Sequence, residues 1–393
     1  MFMKRKIIIP APISHFCYTL YSNKEPVNMA SRYTAAIVGC GSIGHAHMEG
    51  YQKLDNIEVI AVADPLEASR HQYVEEYNIP SEFTTVEEMM ATLKPDIVSI
   101  CVWHLLHAPM TVAAAEGGAQ CIICEKPMAI GMGEADRMVA ACEASGTRLV
   151  ISHQRRFTPG WEKARQLLNE GVIGDPQWVN CTVAEGLTNW GTHAIDGARF
   201  VMGDPKAIWV MGSVERQTDR FERNTAIEDA CMGLIQFERN IQLFVQSDLK
   251  REGATAGSFL IRGAEGMLDV SESRVRFMNA DSNGWAEVPL DMTEEDKAIG
   301  GNTNAAQTQE LLDWLEGGPE HRGSGYKARD TVEVMMALYE SARQNQVIHL
   351  PMQEKGYPLD LMIQEGKLPV TQSGRYDIRD FLRRDHIDEK EYA

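Results

Sequence analysis

Gly39-Cys40-Gly41-Ser42-Ile43-Gly44 follows the short apolar run Thr34-Ala35-Ala36-Ile37-Val38 and precedes a helical pattern that reaches Leu54. A G-x-G-x-x-G between a strand and a helix has a physical reading. Gly39 permits the tight turn, Gly41 lets backbone approach a pyrophosphate, and Gly44 lets helix and strand pack closely. The N–H groups at the helix start, Ser42 and Ile43 among them, then face an anion with the favourable end of the helix dipole behind them. Asp64 lies twenty residues past Gly44, at the end of the next apolar run, Ile57–Ala63. A carboxylate there accepts hydrogen bonds from a ribose 2′-hydroxyl and repels a 2′-phosphate, which favours NAD over NADP. It is equally suited to capping the helix that follows Pro65, and one residue can do both.

Outward from this motif, strands and helices alternate. Strands are expected at Asp96–Val102, Gln120–Cys124 and Arg148–Ser152, with helices from Thr85, at Ala108–Glu116 and at Gly133–Ala144. That rhythm predicts a Rossmann-type, doubly wound parallel sheet over residues 32–153. After Ser152 strand candidates follow one another without helices: Lys206–Val214, Ile227–Glu238, Ile241–Leu249, Ser258–Arg262 and Gly266–Val270. Helices are expected at Trp161–Glu170, His193–Met202, Asn304–Leu315 and Lys327–Gln344. The whole reads as an α/β protein whose second domain, residues 154–352, is α+β with an open, mostly antiparallel sheet. Residues 1–31 are expected to be an extension without core, with Met29 a candidate translation start. Residues 353–393 read as a tail, either disordered or packed, through Arg375–Arg384 and Phe381-Leu382, on a neighbouring subunit.

Composition removes several function classes. The 393 residues carry a formal net charge of −18, a field that repels phosphate backbones and anionic lipid. No nucleic-acid or membrane partner is expected. The uncharged stretch Ile97–Ala115 contains Ser99, His104, His107, Pro109 and Thr111, and reads as strand, loop and helix rather than a span. Eight cysteines are ordinary usage. Cys121 and Cys124 sit three apart on a strand, hence on opposite faces, so they read as buried thiols and no metal site is expected. A cytoplasmic location is expected.

Glu125-Lys126-Pro127 falls at the carboxyl end of a strand, where open α/β sheets bind ligands. Pro127 keeps Lys126 extended. The ammonium group there either meets a substrate hydroxyl or is a solvated lysine beside a turn.

These elements, followed in order by Gly191-Thr192-His193-Ala194-Ile195-Asp196, Arg262-Gly263-Ala264-Glu265-Gly266 and Ser341 to Pro351, resemble the glucose–fructose oxidoreductase / inositol dehydrogenase / MocA-like family over about residues 33–352. The resemblance implies an NAD-dependent oxidoreductase acting on a sugar, polyol or cyclitol, assembled as a homodimer or homotetramer through sheet faces. It places Lys126 and His193 at the reacting hydroxyl, and His107, Glu125 and Lys126 at the cofactor. Arg156 is placed toward the substrate, while Arg155 reads equally as a surface charge. Trp190 offers a flat face for a sugar ring or a core indole. Asn189 stands where many relatives carry Asp; it can hydrogen-bond but holds no charge. Its spacing from His193 suits orientation of that ring, which otherwise reads as a capping or core histidine. Asp196 is expected to support its helix by pairing with Arg199. Val102-Trp103-His104 departs from the family's Thr-Pro-Asn at that place. Two other activities fit the resemblance: an NAD-recycling glycosidase or lyase working by oxidation and elimination, and a non-catalytic NAD-binding sugar sensor.

Overall fold

The computed structural model describes residues 33–249 and 253–380. The expected extension, with Met29, and the Phe381–Arg384 part of the tail lie outside the described residues. The first domain alternates β1 (Tyr33–Val38), α1 (Ser42–Gln52), β2 (Ile57–Ala63), α2 (Glu67–Tyr77), β3 (Ser81–Phe83), α3 (Val86–Thr92), β4 (Ile97–Ile100), α4 (His107–Glu116), β5 (Cys121–Cys124), α5 (Met132–Ser145) and β6 (Arg148–Ile151). All sheet pairs are parallel, in the order β3-β2-β1-β4-β5-β6. This is the doubly wound order that reverses at β1, opening a crevice at the strand ends between β1 and β4. Thr85 caps α3 by accepting from the Glu88 N–H at 3.2 Å, as its spacing predicts.

The strands of this sheet are buried on both faces. Ala35 and Ile37 enter one apolar cluster with α1 and α2, whereas Ala36 and Val38 enter the other. Cys121 and Cys124 divide the same way. Burial holds the Cys121 thiol up, at about 12.

The second domain runs α6 (Pro159–Asn169), β7 (Pro176–Val183), α7 (Thr192–Val201), β8 (Ala207–Glu215), β9 (Thr218–Glu222), β10 (Thr225–Ala226), β11 (Ala230–Phe237), β12 (Gln242–Ser247), β13 (Phe259–Gly263), β14 (Gly266–Val270), β15 (Val275–Asn279), β16 (Ala286–Val288), α8 (Gly301–Leu315), α9 (Gly325–Gln344), β17 (Ile348–His349), α10 (Pro358–Gln364) and β18 (Gln372–Asp377). Nine strands form one sheet, β16-β15-β14-β13-β7-β12-β11-β8-β17, antiparallel except at β12–β7. Helix α9 covers one face of β8 and β11, where Gly212 and Gly233 let it approach. The other face exposes Met211 and Met232.

Three differences from expectation matter. The strand expected from Ile227 begins at Ala230, and Thr225–Ala226, just before the expected start, belong to a second small sheet, β10-β9-β18. Strand β18, in the expected tail, pairs in parallel with β9 of the same chain, so residues 372–377 do not await a neighbouring subunit. Helix α8 packs on the first domain, where the Asn304 side-chain N–H donates to the Ala46 carbonyl on α1 at 2.9 Å. No helix among the described residues is long and apolar enough to cross a membrane.

Candidate active site

A cleft of about 300 Å³ opens at the β1–β4 crevice, lined by Gly39, Gly41, Ser42, Ile43, Asp64, Trp103, Glu125, Lys126 and Arg223 among others. Gly39 has φ +95, and a Cβ there would sit 2.6 Å from the Cys101 carbonyl oxygen. No other residue type makes this turn without strain. A Cβ on Gly44 would lie 2.5 Å from the Tyr73 hydroxyl, which donates to the Gly41 carbonyl at 2.5 Å. The second helix therefore props the turn from behind. Asp64 stands between the start of α2 and the cleft. Its carboxylate accepts from the Cys40 N–H at 2.8 Å and the Leu66 N–H at 2.9 Å while lining the cleft.

At the end of β5, Glu125 is buried and accepts from the Lys126 N–H at 3.2 Å. Its other oxygen lies 3.2 Å from His47 Nε2. With that nitrogen donating, His47 Nδ1 accepts from the Ser99 hydroxyl at 2.9 Å, which in turn accepts from Tyr51 at 2.6 Å. Burial would raise the Glu125 carboxyl, but His47 and the Lys126 ammonium more than offset it and hold it down to about 2. The Lys126–Pro127 peptide is cis. His107, expected at the cofactor, does not line the cleft. Its Nδ1 faces the Pro127 carbonyl at 2.8 Å and its Nε2 the Val102 carbonyl at 3.1 Å. Burial pushes this imidazole down to about 4, so it is neutral and braces the ends of β4 and β5.

The second domain supplies the facing wall. Before α7, residues Leu187–Gly191 form a π-helical turn, a wide turn frequent at functional sites. Its start is capped by carboxylates. Asp248 accepts from the Glu185 and Gly186 N–H groups, and Glu228 accepts from the Leu187 N–H at 2.6 Å. The turn places Asn189 against the lysine: Lys126 Nζ donates to Asn189 Oδ1 at 3.2 Å. Asn189 thus holds Lys126, whereas orientation of His193 was expected. The buried Asn189 Nδ2 and His193 Nδ1 have no protein partner. Buried polar atoms without partners are costly and mark where a ligand completes the site. Burial, reinforced by Arg223 and Arg155 against the pull of Glu125, lowers the Lys126 ammonium to about 8. Burial together with the Lys126 charge holds His193 well below its ordinary value.

Arg156 requires a correction. It is fully buried, forks onto Asp196 at 2.7 Å through both Nε and Nη2, lies 3.0 Å from Asp204, and donates to the Arg322 carbonyl at 2.5 Å. Four of its five N–H groups are directed at these oxygens, and Arg156 does not line the cleft. Asp196 accordingly pairs with Arg156 and lies 3.3 Å from His153 Nδ1, while Arg199 bonds Asp330 and Thr331 instead. The neighbouring Arg155 is the partly exposed one. It pairs with Glu272 and acts electrostatically on both Lys126 and His193. Trp190 is half-buried against the core. Two contributors escaped the sequence: His47, three residues past Gly44, and Arg223, in a charged segment with no apolar period.

Two family models match this chain: "Oxidoreductase family, NAD-binding Rossmann fold" over residues 33–153, and "GFO/IDH/MocA C-terminal domain" over 161–269. Together they span more than half of it. The chain belongs to the GFO/IDH/MocA oxidoreductase family. It is 25% identical to the D-apiose dehydrogenase of Paraburkholderia graminis over 359 residues, 83% of this chain and 92% of that protein. It is 25% identical to the D-glucoside 3-dehydrogenase of Escherichia coli over 248 residues, 56% of this chain and 70% of that protein. Among solved structures, a levoglucosan dehydrogenase in complex with NADH superposes with a TM-score of 0.73 at 20% identity, covering 82% of this chain and all of that one. The chain is an oxidoreductase with an NAD-binding Rossmann fold. The glycine turn with no room for a Cβ at Gly39 and the open cleft beyond it fit a dinucleotide.

Proposed function

We propose that this protein is an NAD-dependent dehydrogenase of a secondary alcohol on a sugar, polyol or cyclitol, with Lys126 and His193 at the reacting hydroxyl. The contact that carries the reading is Lys126 Nζ on Asn189 Oδ1, beside the partnerless His193 Nδ1. It joins the end of the cofactor cleft to the second domain at two groups able to handle a proton. A bound nicotinamide supplies the two-electron acceptor; the chain's own residues deal with the hydroxyl. Lys126 in its neutral form accepts the hydroxyl proton at Nζ, and Asn189 fixes where Nζ stands. His193, neutral across the working range, takes part in one hydrogen bond that orients the carbinol. Arg155 and Trp190 border the same wall.

A panel of sugars, polyols and cyclitols with NAD tests this. Reduced nicotinamide should accumulate in proportion to oxidised product. Aglycone release from glycosides without net reduction would favour a recycling lyase or glycosidase, and binding without turnover a sensor.

NAD is proposed over NADP because the Asp64 carboxylate lines the cleft and would repel a 2′-phosphate. Asp64→Ser should lower the ratio of NAD to NADP affinity about tenfold or more, the value of one hydrogen bond to a charged group. An unchanged ratio in paired titrations would remove Asp64 from cofactor choice.

A further inference from the structure

Apart from Lys126, the cleft has one cationic side chain in its lining among the described residues, Arg223, and that residue comes from the second domain. It occupies the turn between β9 and β10. Arg223 and Asn224 both have positive φ, 48 and 62, the pairing a two-residue hairpin turn with matched twist requires. For Arg223, without the tolerance of Gly or Asn, this conformation needs outside support. Asp377 supplies it. One carboxylate oxygen accepts from the Arg223 N–H at 3.0 Å and the other from the Asn224 N–H at 2.8 Å. Arg375, two residues earlier on β18, lies 3.8 Å over the Phe221 ring and donates to the Asn224 side chain at 2.9 Å. The C-terminal strand thus holds the hairpin by backbone, ring and carboxylate.

The guanidinium so presented is under-used. The Glu222 carboxylate lies 3.5 Å from Arg223 Nε, and that nitrogen is buried with no hydrogen-bond partner. Glu222 is nearly wholly buried and also lies 3.7 Å from His104 Nδ1, while His104 Nε2 faces the Thr225 hydroxyl at 2.5 Å. The hairpin is therefore docked on the loop after β4. That docking explains why His104 stands where the family pattern differs. The cleft that Arg223 lines includes the glycine turn and Lys126, but neither Asn189 nor His193. The arginine faces the cofactor side rather than the carbinol side. In this cleft Asp64, Glu87 and Glu125 carry negative charge, and the doubly negative part of a dinucleotide is its pyrophosphate.

We propose that Arg223 is the second domain's contact to the pyrophosphate of the bound dinucleotide, and that Asp377 is the positioning residue that aims it. The proposal rests on reading the cleft as the NAD site. Guanidinium suits the task because its donors match phosphate oxygens and its charge is permanent. Cofactor binding would then draw on the C-terminal strand, although that strand contributes no lining residue.

The test is titration of the full-length chain with ADP-ribose, NAD and adenosine, followed by tryptophan fluorescence, since Trp103 lines the cleft. Arg223→Met should weaken ADP-ribose and NAD roughly 10- to 100-fold and leave adenosine unchanged, with a smaller dependence on salt concentration. Arg223→Lys should recover part of the loss. Asp377→Asn should weaken the same two ligands by less, and the double variant should bind no worse than Arg223→Met alone, as one pathway requires. Wild-type affinity for ADP-ribose in Arg223→Met, equal loss for adenosine, or additive losses in the double variant would each overturn the proposal. A wild-type protein that binds none of the three ligands would instead refute the cofactor cleft itself.

Discussion

Replacement of Lys126 by methionine is expected to lower kcat/KM by roughly 10²- to 10⁴-fold, the usual contribution of a positioned acid–base group. Methionine keeps most of the side-chain volume and removes a cleft group that both reaches Asn189 and changes charge near pH 8. The loss should fall mainly on kcat, because the proton is handled in the transition state and the glycine turn is untouched. Lys126→Arg sharpens the point. Arginine keeps the positive charge but does not give up its proton at working pH, so an arginine variant should be as inactive as methionine. If arginine restored turnover, Lys126 would be an electrostatic binder and not a base. Steady-state kinetics on the first substrate found in the panel, with melting temperature as a folding control, decides between the two.

The second large effect concerns stability. Arg156 satisfies the buried carboxylate of Asp196, the partly buried Asp204 and a backbone carbonyl at the junction of the two domains. Arg156→Met leaves the buried Asp196 without its guanidinium, while Asp204 keeps Arg165 at 3.5 Å, and breaking a buried pair from one side costs about 3–5 kcal/mol. Asp196 is held below its ordinary value, against the effect of burial, by Arg156 and His153. The variant should therefore unfold at markedly lower denaturant concentration. A shift under about 1 kcal/mol would show that water or a rearranged His153 compensates, and would return Arg156 to the pool of possible ligand contacts. Arg155→Met, one residue away, should cost less, because both partners of its pair with Glu272 keep about a fifth of their side chains in solvent, which lowers the cost of parting them.

The contrast between these two arginines marks the limit of what was legible in the chain. The turn at Gly39–Gly44, the carboxylate at Asp64 and the Glu125-Lys126-Pro127 strand end could be read because each is local: strand, turn and helix lie within a few residues. Which of Arg155 and Arg156 points inward is decided by Asp196, forty residues later, through a short helical turn whose phase no local pattern reports. His47 is similar, since its meaning depends on Glu125, 78 residues away. The small sheet of β9, β10 and β18 was missed for a different reason. Its strands read Thr-Asp-Arg-Phe-Glu and Gln-Ser-Gly-Arg-Tyr-Asp, with no apolar alternation, because the buried positions of β9 are the charged Arg220 and Glu222. The role given to Asn189 shifted as well. Its spacing from His193 suggested a partner on the same helix, but the π-helical turn swings it onto Lys126.

The pH dependence of kcat/KM for alcohol oxidation, compared between wild type and Lys126→Met, tests the central claim most directly. Lys126 accepts a proton only when neutral, and in the folded protein it loses its own at about 8. The rate should therefore rise tenfold per pH unit below about 8 and level off above it. His193, held well below its ordinary value, should add no second limb between pH 6.5 and 9. The residual activity of the methionine variant should show no such limb. A wild-type profile that is flat from pH 6.5 to 9.5, or a limb near 8 that persists when Lys126 is gone, would contradict the assignment of Lys126 as the base.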